Sequence, residues 1–236
     1  MKNIGIKFKG LQEVKHLFDA KTYRYVINEA LGNAAKEAKI ELQEEMKKVF
    51  DEPTKYTLNS MYFKRDFRNL SVEFMLKDKA DQYLFPQIEG GSREQKRSEK
   101  HLQRLAGVGY KLFYVPGPGL KLNKYGNIPG SLLVQILSAL KAFPEVGYMA
   151  NVTERSRQRR LKMKRPKPIR DFFITKGHSG IHPGVWEKIK HGRIRPILLF
   201  VKDPKYIPRL KFYETITNSF KNHLQGKLNI EWEKLK

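Results

Sequence analysis

"YRYVINEALGNAAKEAKIELQEEMKKVF", residues 23–50, decides the fold. It contains no proline and one glycine, and Ile27, Leu31, Ala34, Ala38, Leu42, Met46 and Val49 recur at steps of three and four. That spacing lines one face of a long amphipathic helix. The alanines in its middle predict close approach of a sheet or of a second helix. Lys47 and Lys48 fall in the last turn, where cations suit the negative end of the helix dipole.

The flanks read as strands. Upstream, "NIGIKFKGL" sets Ile4, Ile6 and Phe8 on one side and Gly5, Lys7 and Lys9 on the other, the period-two pattern of a half-buried strand. Downstream, Pro53 in "DEPTKYTLNS" stops the helix, and "LSVEFMLKD" alternates again through Leu70, Val72, Phe74 and Leu76. Near the end of the chain, "RPILLFVKD" is a candidate buried strand, and Leu210, Tyr213, Ile216, Phe220 and Leu224 are spaced for a last helix.

The expected fold class is therefore α+β, a small, mostly antiparallel sheet packed on a long helix. Residues 1–80 and 193–236 are expected to form this core, and 81–192 a large irregular insertion. Within the insertion, "QIEGGSREQKRSEKHLQRL" predicts a helix after Ser92. The glycines and prolines of "YVPGPGLKLNKYGNIPG" predict irregular backbone from Pro116 to Gly130. Leu132, Leu133, Ile136, Leu137 and Leu140 predict a further short helix. No internal repeat is found.

Composition narrows the function. The 47 Lys and Arg against 24 Asp and Glu give a formal charge of +23, strong self-repulsion unless a polyanion or an acidic partner is at hand. With no cysteine, disulfides, thiolate metal sites and a cysteine nucleophile are excluded. The N-terminus lacks the apolar core of a signal peptide, and runs such as "PILLFV" are far shorter than the ~18 residues that span a bilayer. A soluble protein with no membrane partner is expected.

The charge is densest in "RSRQRRLKMKRPKPIR", residues 155–170, where nine of sixteen residues are basic and none is acidic. Pro166 and Pro168 predict an extended second half. Arg155, Arg157, Arg159, Arg160, Lys162, Lys164, Arg165, Lys167 and Arg170 are the candidate contacts to DNA or to an acidic partner. Guanidinium groups favour phosphate because they bind it in a bidentate way. If all nine met phosphates, the log–log salt slope would approach roughly −8. No zinc finger, helix-turn-helix or RNP motif accompanies the stretch, so such contact would be blind to sequence.

Catalytic chemistry is weakly signalled. His178 and His182 are four apart, but Gly177, Gly180, Pro183 and Gly184 break any helix there and no third ligand is placed, so a loop is expected rather than a metal site. Asp171 and His178 are the pair a nuclease reading would use. "GVGYKLFYVPGPG" lacks the lysine and Ser or Thr of a phosphate-binding P-loop. Tyr110, Phe113 and Tyr114 beside Lys111 could stack on bases, although their apolar neighbours favour core packing. No catalytic residue, metal or cofactor is expected.

Several stretches together resemble one known family. "YLFPQIEGG" at 83–91, "YVPG" at 114–117, "KLNKYGNIPGSLLVQILSAL" at 121–140, "GIHPGVW" at 180–186 and "IRPILLFVKDPKY" at 194–206 resemble tailed-bacteriophage minor tail protein Z-like proteins, over roughly residues 65–215. The two ends are also similar to the tail-completion and neck proteins of siphophages. The resemblance implies a structural virion protein at the neck or the head-proximal end of the tail, assembled in the host cytoplasm. It implies a homo-oligomeric ring, commonly hexameric, that meets the portal-adaptor or connector and the tail tube or tail terminator around packaged double-stranded DNA. It brings no catalytic residues. Pro86, Gly90, Gly91, Pro116, Gly117, Gly126, Pro183 and Gly184 are expected to set turns. The rival readings are a free, sequence-nonspecific nucleic-acid-binding protein and a phage DNA-processing enzyme.

Overall fold

Helix α1 (Ala20–Val49) is the spine of the first of two compact units in the computed structural model. The structure describes residues 5–9, 20–143, 151–162, 170–177 and 180–234, with backbone alone at 5–9, Ala20 and Arg160. Ala34, Ala35 and Ala38 are fully buried, with Leu31, Leu42 and Met46 above and below them. Side chains this small let neighbouring elements approach the helix backbone, as the alanine pattern predicts.

Two partners use that approach. Strands β1 (Gly5–Lys9), β2 (Met61–Asp66) and β3 (Ser71–Leu76) form an antiparallel sheet in the order β1-β3-β2, entered through the short helix α2 (Lys55–Leu58). Val72, Phe74 and Leu76 face the core on alternate positions of β3, as expected. The other partner is the C-terminal helix α7 (Phe212–Glu233), which joins the same core through Phe212, Ile216 and Phe220. Phe74 binds the two together, edge-on to Phe220 at 5.9 Å and tilted on Phe63 at 6.1 Å. Tyr213, expected on the buried stripe, is 40% exposed, and Phe212 takes that place. Both fit a step of three or four to Ile216, and the larger apolar gain from burying phenylalanine selects between them.

A polar ladder fixes α1 and α7 antiparallel. Asn33 Nδ2 donates to Glu231 (2.9 Å), Lys227 Nζ to Glu37 (2.7 Å), and His223 Nε2 meets Glu41 (2.7 Å). These contacts step by four along both helices, so each is one turn from the next. The Lys227 hydrogen bond and charge hold the Glu37 carboxyl below its ordinary range. Gly32 has its own reason: a Cβ there would lie 2.7 Å from Arg65 Nη1, and the gap lets Arg65 cross the helix to Glu29, 2.7 Å away.

Helix α3 (Asp78–Ile88) completes unit 1, burying Ala80, Leu84 and Ile88 in the same core. The units are 1–93 with 206–236, and 94–205. The boundaries thus fall after α3 and after "RPILLFV", later than the expected 80/81 and 192/193. The short strands β4 (Gly91–Ser92) and β9 (Lys205–Tyr206) stand where the chain leaves unit 1 and returns.

Unit 2 is more regular than the expected irregular insertion. It has its own antiparallel sheet, β5 (Phe113–Pro116), β6 (Asp171–Thr175), β7 (Gly184–Lys188) and β8 (Ile194–Val201), in the order β5-β8-β7-β6. The "RPILLFV" strand is therefore interior to this second sheet and not part of the first unit's core, a correction to the sequence reading. A buried apolar run suits any strand flanked on both sides, and the sequence does not say by which neighbours. Helices α4 (Arg97–Ala106) and α5 (Gly130–Ala139), both anticipated, pack through Leu102, Ala106, Leu132 and Ile136 onto Phe172, Val185, Leu198 and Phe200. Gly184 is required by contact: a Cβ there would stand 2.2 Å from the Leu198 carbonyl oxygen of the paired strand.

Phe74→Ala is expected to destabilise unit 1 by about 3–5 kcal/mol, because it empties the joint between sheet and helices. A urea titration followed by circular dichroism checks this, and a loss below about 1 kcal/mol would show that Phe74 is not the joint.

Candidate polyanion-binding unit

The charge is unevenly divided. Unit 2 carries 24 of the 47 Lys and Arg residues but only 7 of the 24 Asp and Glu, a formal +17 that leaves +6 on unit 1. Among the described residues, two of these carboxylates are turned inward. Glu99 is fully buried, where it accepts from the backbone N–H of Lys96 (2.7 Å) and of Tyr114 (3.3 Å). Glu187 is buried on β7 between two arginines. Glu187 thereby engages two of the unit's own arginines, while Glu99 is held by backbone N–H groups.

The first half of the basic stretch is helical. Helix α6 (Glu154–Leu161) is capped reciprocally: Ser156 N–H donates to Thr153 Oγ1 (3.2 Å) and Thr153 N–H to Ser156 Oγ (3.1 Å). The hydroxyls satisfy backbone donors that an uncapped helix start leaves open. Arg155, Arg157 and Arg159 on this helix, and Lys162 just after it, are exposed. Arg155, Arg159 and Lys162, at steps of four and three, share one side, with Arg157 on another. Arg160 is placed by backbone alone, and Lys164, Arg165 and Lys167 lie outside the described residues, as does the stretch whose prolines predict extended backbone.

Arg170 is not a free contact. Its guanidinium forms a fork with Glu187, Nε to Oε1 at 2.6 Å and Nη2 to Oε2 at 2.7 Å, and it lies 5.0 Å from the Phe172 ring centroid. Arg195 Nε closes the group from β8 at 2.8 Å from Oε2. The sheet register explains the cluster, since Phe172, Glu187 and Arg195 are directly opposed on β6, β7 and β8. Burial pushes the Glu187 pKa up, but the hydrogen bonds and charges of Arg170 and Arg195 outweigh it and hold the carboxyl below its ordinary value. The same bonds raise the Arg170 pKa. Arg170 thus leaves the candidate set, for a reason a linear sequence conceals: its partner is seventeen positions away on another strand.

A second cationic surface was missed. On α4, Arg97, Lys100 and Arg104 are exposed at steps of three and four and form one stripe. His101 is buried on that helix with its ring 6.0 Å from Phe143. Its pKa is lowered first by burial and then by the charges of Arg104 and Arg97. The signal for this surface lay in the helical spacing of the cations in "KRSEKHLQR".

Of the aromatic trio near Lys111, Phe113 and Tyr114 are buried, as their apolar neighbours favoured, while Tyr110 is exposed with Lys202 Nζ 5.6 Å from its ring centroid. Asp171 pairs with Lys188 at 3.7 Å, and His178 lies outside the described residues. Among the described residues no cluster of three His, Asp or Glu is placed to hold a metal ion, and no helix is long and apolar enough to cross a membrane.

Glu187 contributes stability with a definite pH dependence. Its folded pKa is depressed, so the contribution is present above the ordinary value of 4.5 and is lost as pH falls through the folded value. Glu187→Gln is expected to cost about 1–3 kcal/mol at neutral pH by stranding two guanidinium groups. The same substitution should flatten the acid limb of a stability–pH profile; an unchanged acid limb would remove Glu187 from the account.

A comparison of the chain with protein-family models, with curated proteins and with solved structures finds no match.

Proposed function

We propose that this chain is a structural protein of a tailed-bacteriophage particle, a homo-oligomeric ring that completes the tail or joins it to the head connector around the DNA channel. The observation that carries the proposal is the charge division, +17 on unit 2 against +6 on unit 1. A ring of such chains repeats that excess around its axis, and its self-repulsion is relieved only by an anionic partner. Packaged double-stranded DNA supplies one without a base-reading motif, because phosphate contact is electrostatic and sequence-blind. The resemblance of "YLFPQIEGG", "YVPG", "GIHPGVW" and "IRPILLFVKDPKY" to the minor tail protein Z-like family supports the location.

On this reading no bond is made or broken by the chain. Unit 1 is the rigid body, with its sheet and two long helices locked by one core. The exposed cations of α4 and α6 contact phosphates or acidic neighbouring subunits. Portal-adaptor or connector and tail-tube or tail-terminator proteins are its proposed neighbours. The same charge also favours a second reading, a free nucleic-acid-binding protein with no place in a particle.

Three measurements test this. Cryo-electron microscopy of the virus particle should show the chain in a ring at the neck or tail end; its absence there would leave the free-binding reading. In solution, Arg155→Gln, Arg157→Gln and Arg159→Gln together should weaken binding to a random-sequence duplex and make the log–log salt slope shallower by up to about 3. An unchanged slope would take α6 out of the interface. Extending the replacement to Arg160, Lys162 and Lys164 should impair particle assembly or genome retention while leaving the fold intact by circular dichroism.

A further inference from the structure

We infer that one face of the unit 2 sheet is a stacking platform for single-stranded nucleic acid, with Phe173 and Trp186 as its base-stacking side chains. Phe173 on β6 is directly opposite Trp186 on β7, which is directly opposite Pro196 on β8. Directly opposed side chains share a face and start about 5 Å apart, so the three form a continuous row across three strands. They alternate along their strands with Phe172, Val185 and Ile197, which are buried in the core with α4 and α5, and a register shift between Val185 and Trp186 sets Pro196 opposite Trp186. All three are partly exposed, as is Leu199, and Val115 is 41% exposed.

The row is also polar where a stacking site needs to be. Trp186 Nε1 donates to the His182 carbonyl oxygen at 3.0 Å, so the indole has its hydrogen bond before any ligand arrives and is held in one orientation. Lys188 Nζ lies 5.7 Å from the Phe173 ring centroid and places a cation at the rim. One carboxylate, Asp171, is 3.7 Å from Lys188 and leaves that lysine partly neutralised.

Charge selects the occupant. The platform belongs to the unit with net +17, so its ligand is expected to be anionic as well as flat. A single strand offers both, with π faces for the rings and phosphates for the surrounding cations. A duplex keeps its bases stacked inside and presents none. An antiparallel sheet with helices behind it and aromatics in front is an arrangement that stacks splayed bases. The inference goes beyond the phosphate contact of the preceding section and does not depend on a place in a particle.

The test uses the full chain with Trp232→Phe, which leaves Trp186 as the only tryptophan. An oligo(dT) titration in about 0.3 M salt, where exposed charges are well screened, is expected to quench its emission. Phe173→Ala in that background should weaken the binding about tenfold, and an equal-length duplex should quench little. Trp186→Phe should retain most of the affinity for a labelled strand, while Trp186→Ala should lose it. The inference is overturned if folded protein shows no quenching, if the duplex quenches equally, or if Phe173→Ala leaves affinity unchanged. It is equally overturned if Trp186→Ala abolishes self-association in the ultracentrifuge without changing strand binding, since the face would then belong to a second copy. The α6 arginine variants should keep the oligo(dT) quenching, so failure of the duplex reading and failure of this one are separable.

Discussion

The structure of unit 1 depends on the thinness of one side of α1. Ala30, Ala34, Ala35 and Ala38 leave no side-chain bulk along the middle of the helix. A larger residue at any of them would force either the sheet or α7 away, and overpacked cores relax by moving backbone at a cost of about 1–3 kcal/mol. Because close contact on such a surface could slide, something else must fix the register. The ladder from Asn33 through Glu37 to Glu41 does so, each member meeting its partner on α7 one turn after the last. Hydrophobic burial, which has no direction, supplies the attraction, and the polar ladder supplies the alignment.

Unit 2 faces the opposite problem. Its excess of cations opposes compaction, yet its two buried carboxylates are spent inside, where they hold backbone and strands. Glu99 ties α4 to β5, and Glu187 ties Arg170, just before β6, to Arg195 on β8. In both cases the negative charge stabilises the unit locally, and at Glu187 it does so by engaging two arginines that would otherwise add to the surface field. The cations left outside these pairs, those of α4 and α6 among them, are the ones available to an external anion.

Much of this was legible in the sequence. The three- and four-residue steps of α1, the alternation of β3 and the apolar stripe of α5 each name their element, because local periodicity is set by local geometry. What failed was long-range pairing. "RPILLFV" reads as a buried strand from either unit, and only its neighbours, β5 and β7, assign it to the second. Arg170 reads as one of nine cations until β7 brings Glu187 beside it. The row of Phe173, Trp186 and Pro196 is invisible in one dimension for the same reason, since its members are 13 and 10 positions apart and are joined only by register. The cations of Arg155, Arg157 and Arg159, by contrast, needed no partner to be read, although the helix that carries them was not foreseen.

These failures share a direction, and it bears on function. Sequence counts all charges alike, whereas folding sorts them into those already paired and those left for a ligand. Arg170 and Arg195 belong to the first class; Arg155, Arg157 and Arg159 remain accessible. The same sorting applies to aromatics, with Phe113 and Tyr114 buried in the unit, and Phe173 and Trp186 left partly in water. Cations on helices and aromatics on a sheet answer to different parts of a nucleic acid, the first to its phosphates at any spacing and the second to bases only when they are unpaired. On the proposed readings, a chain holding both would distinguish a duplex from a single-stranded end without reading any sequence, because only unpaired bases reach the aromatic row.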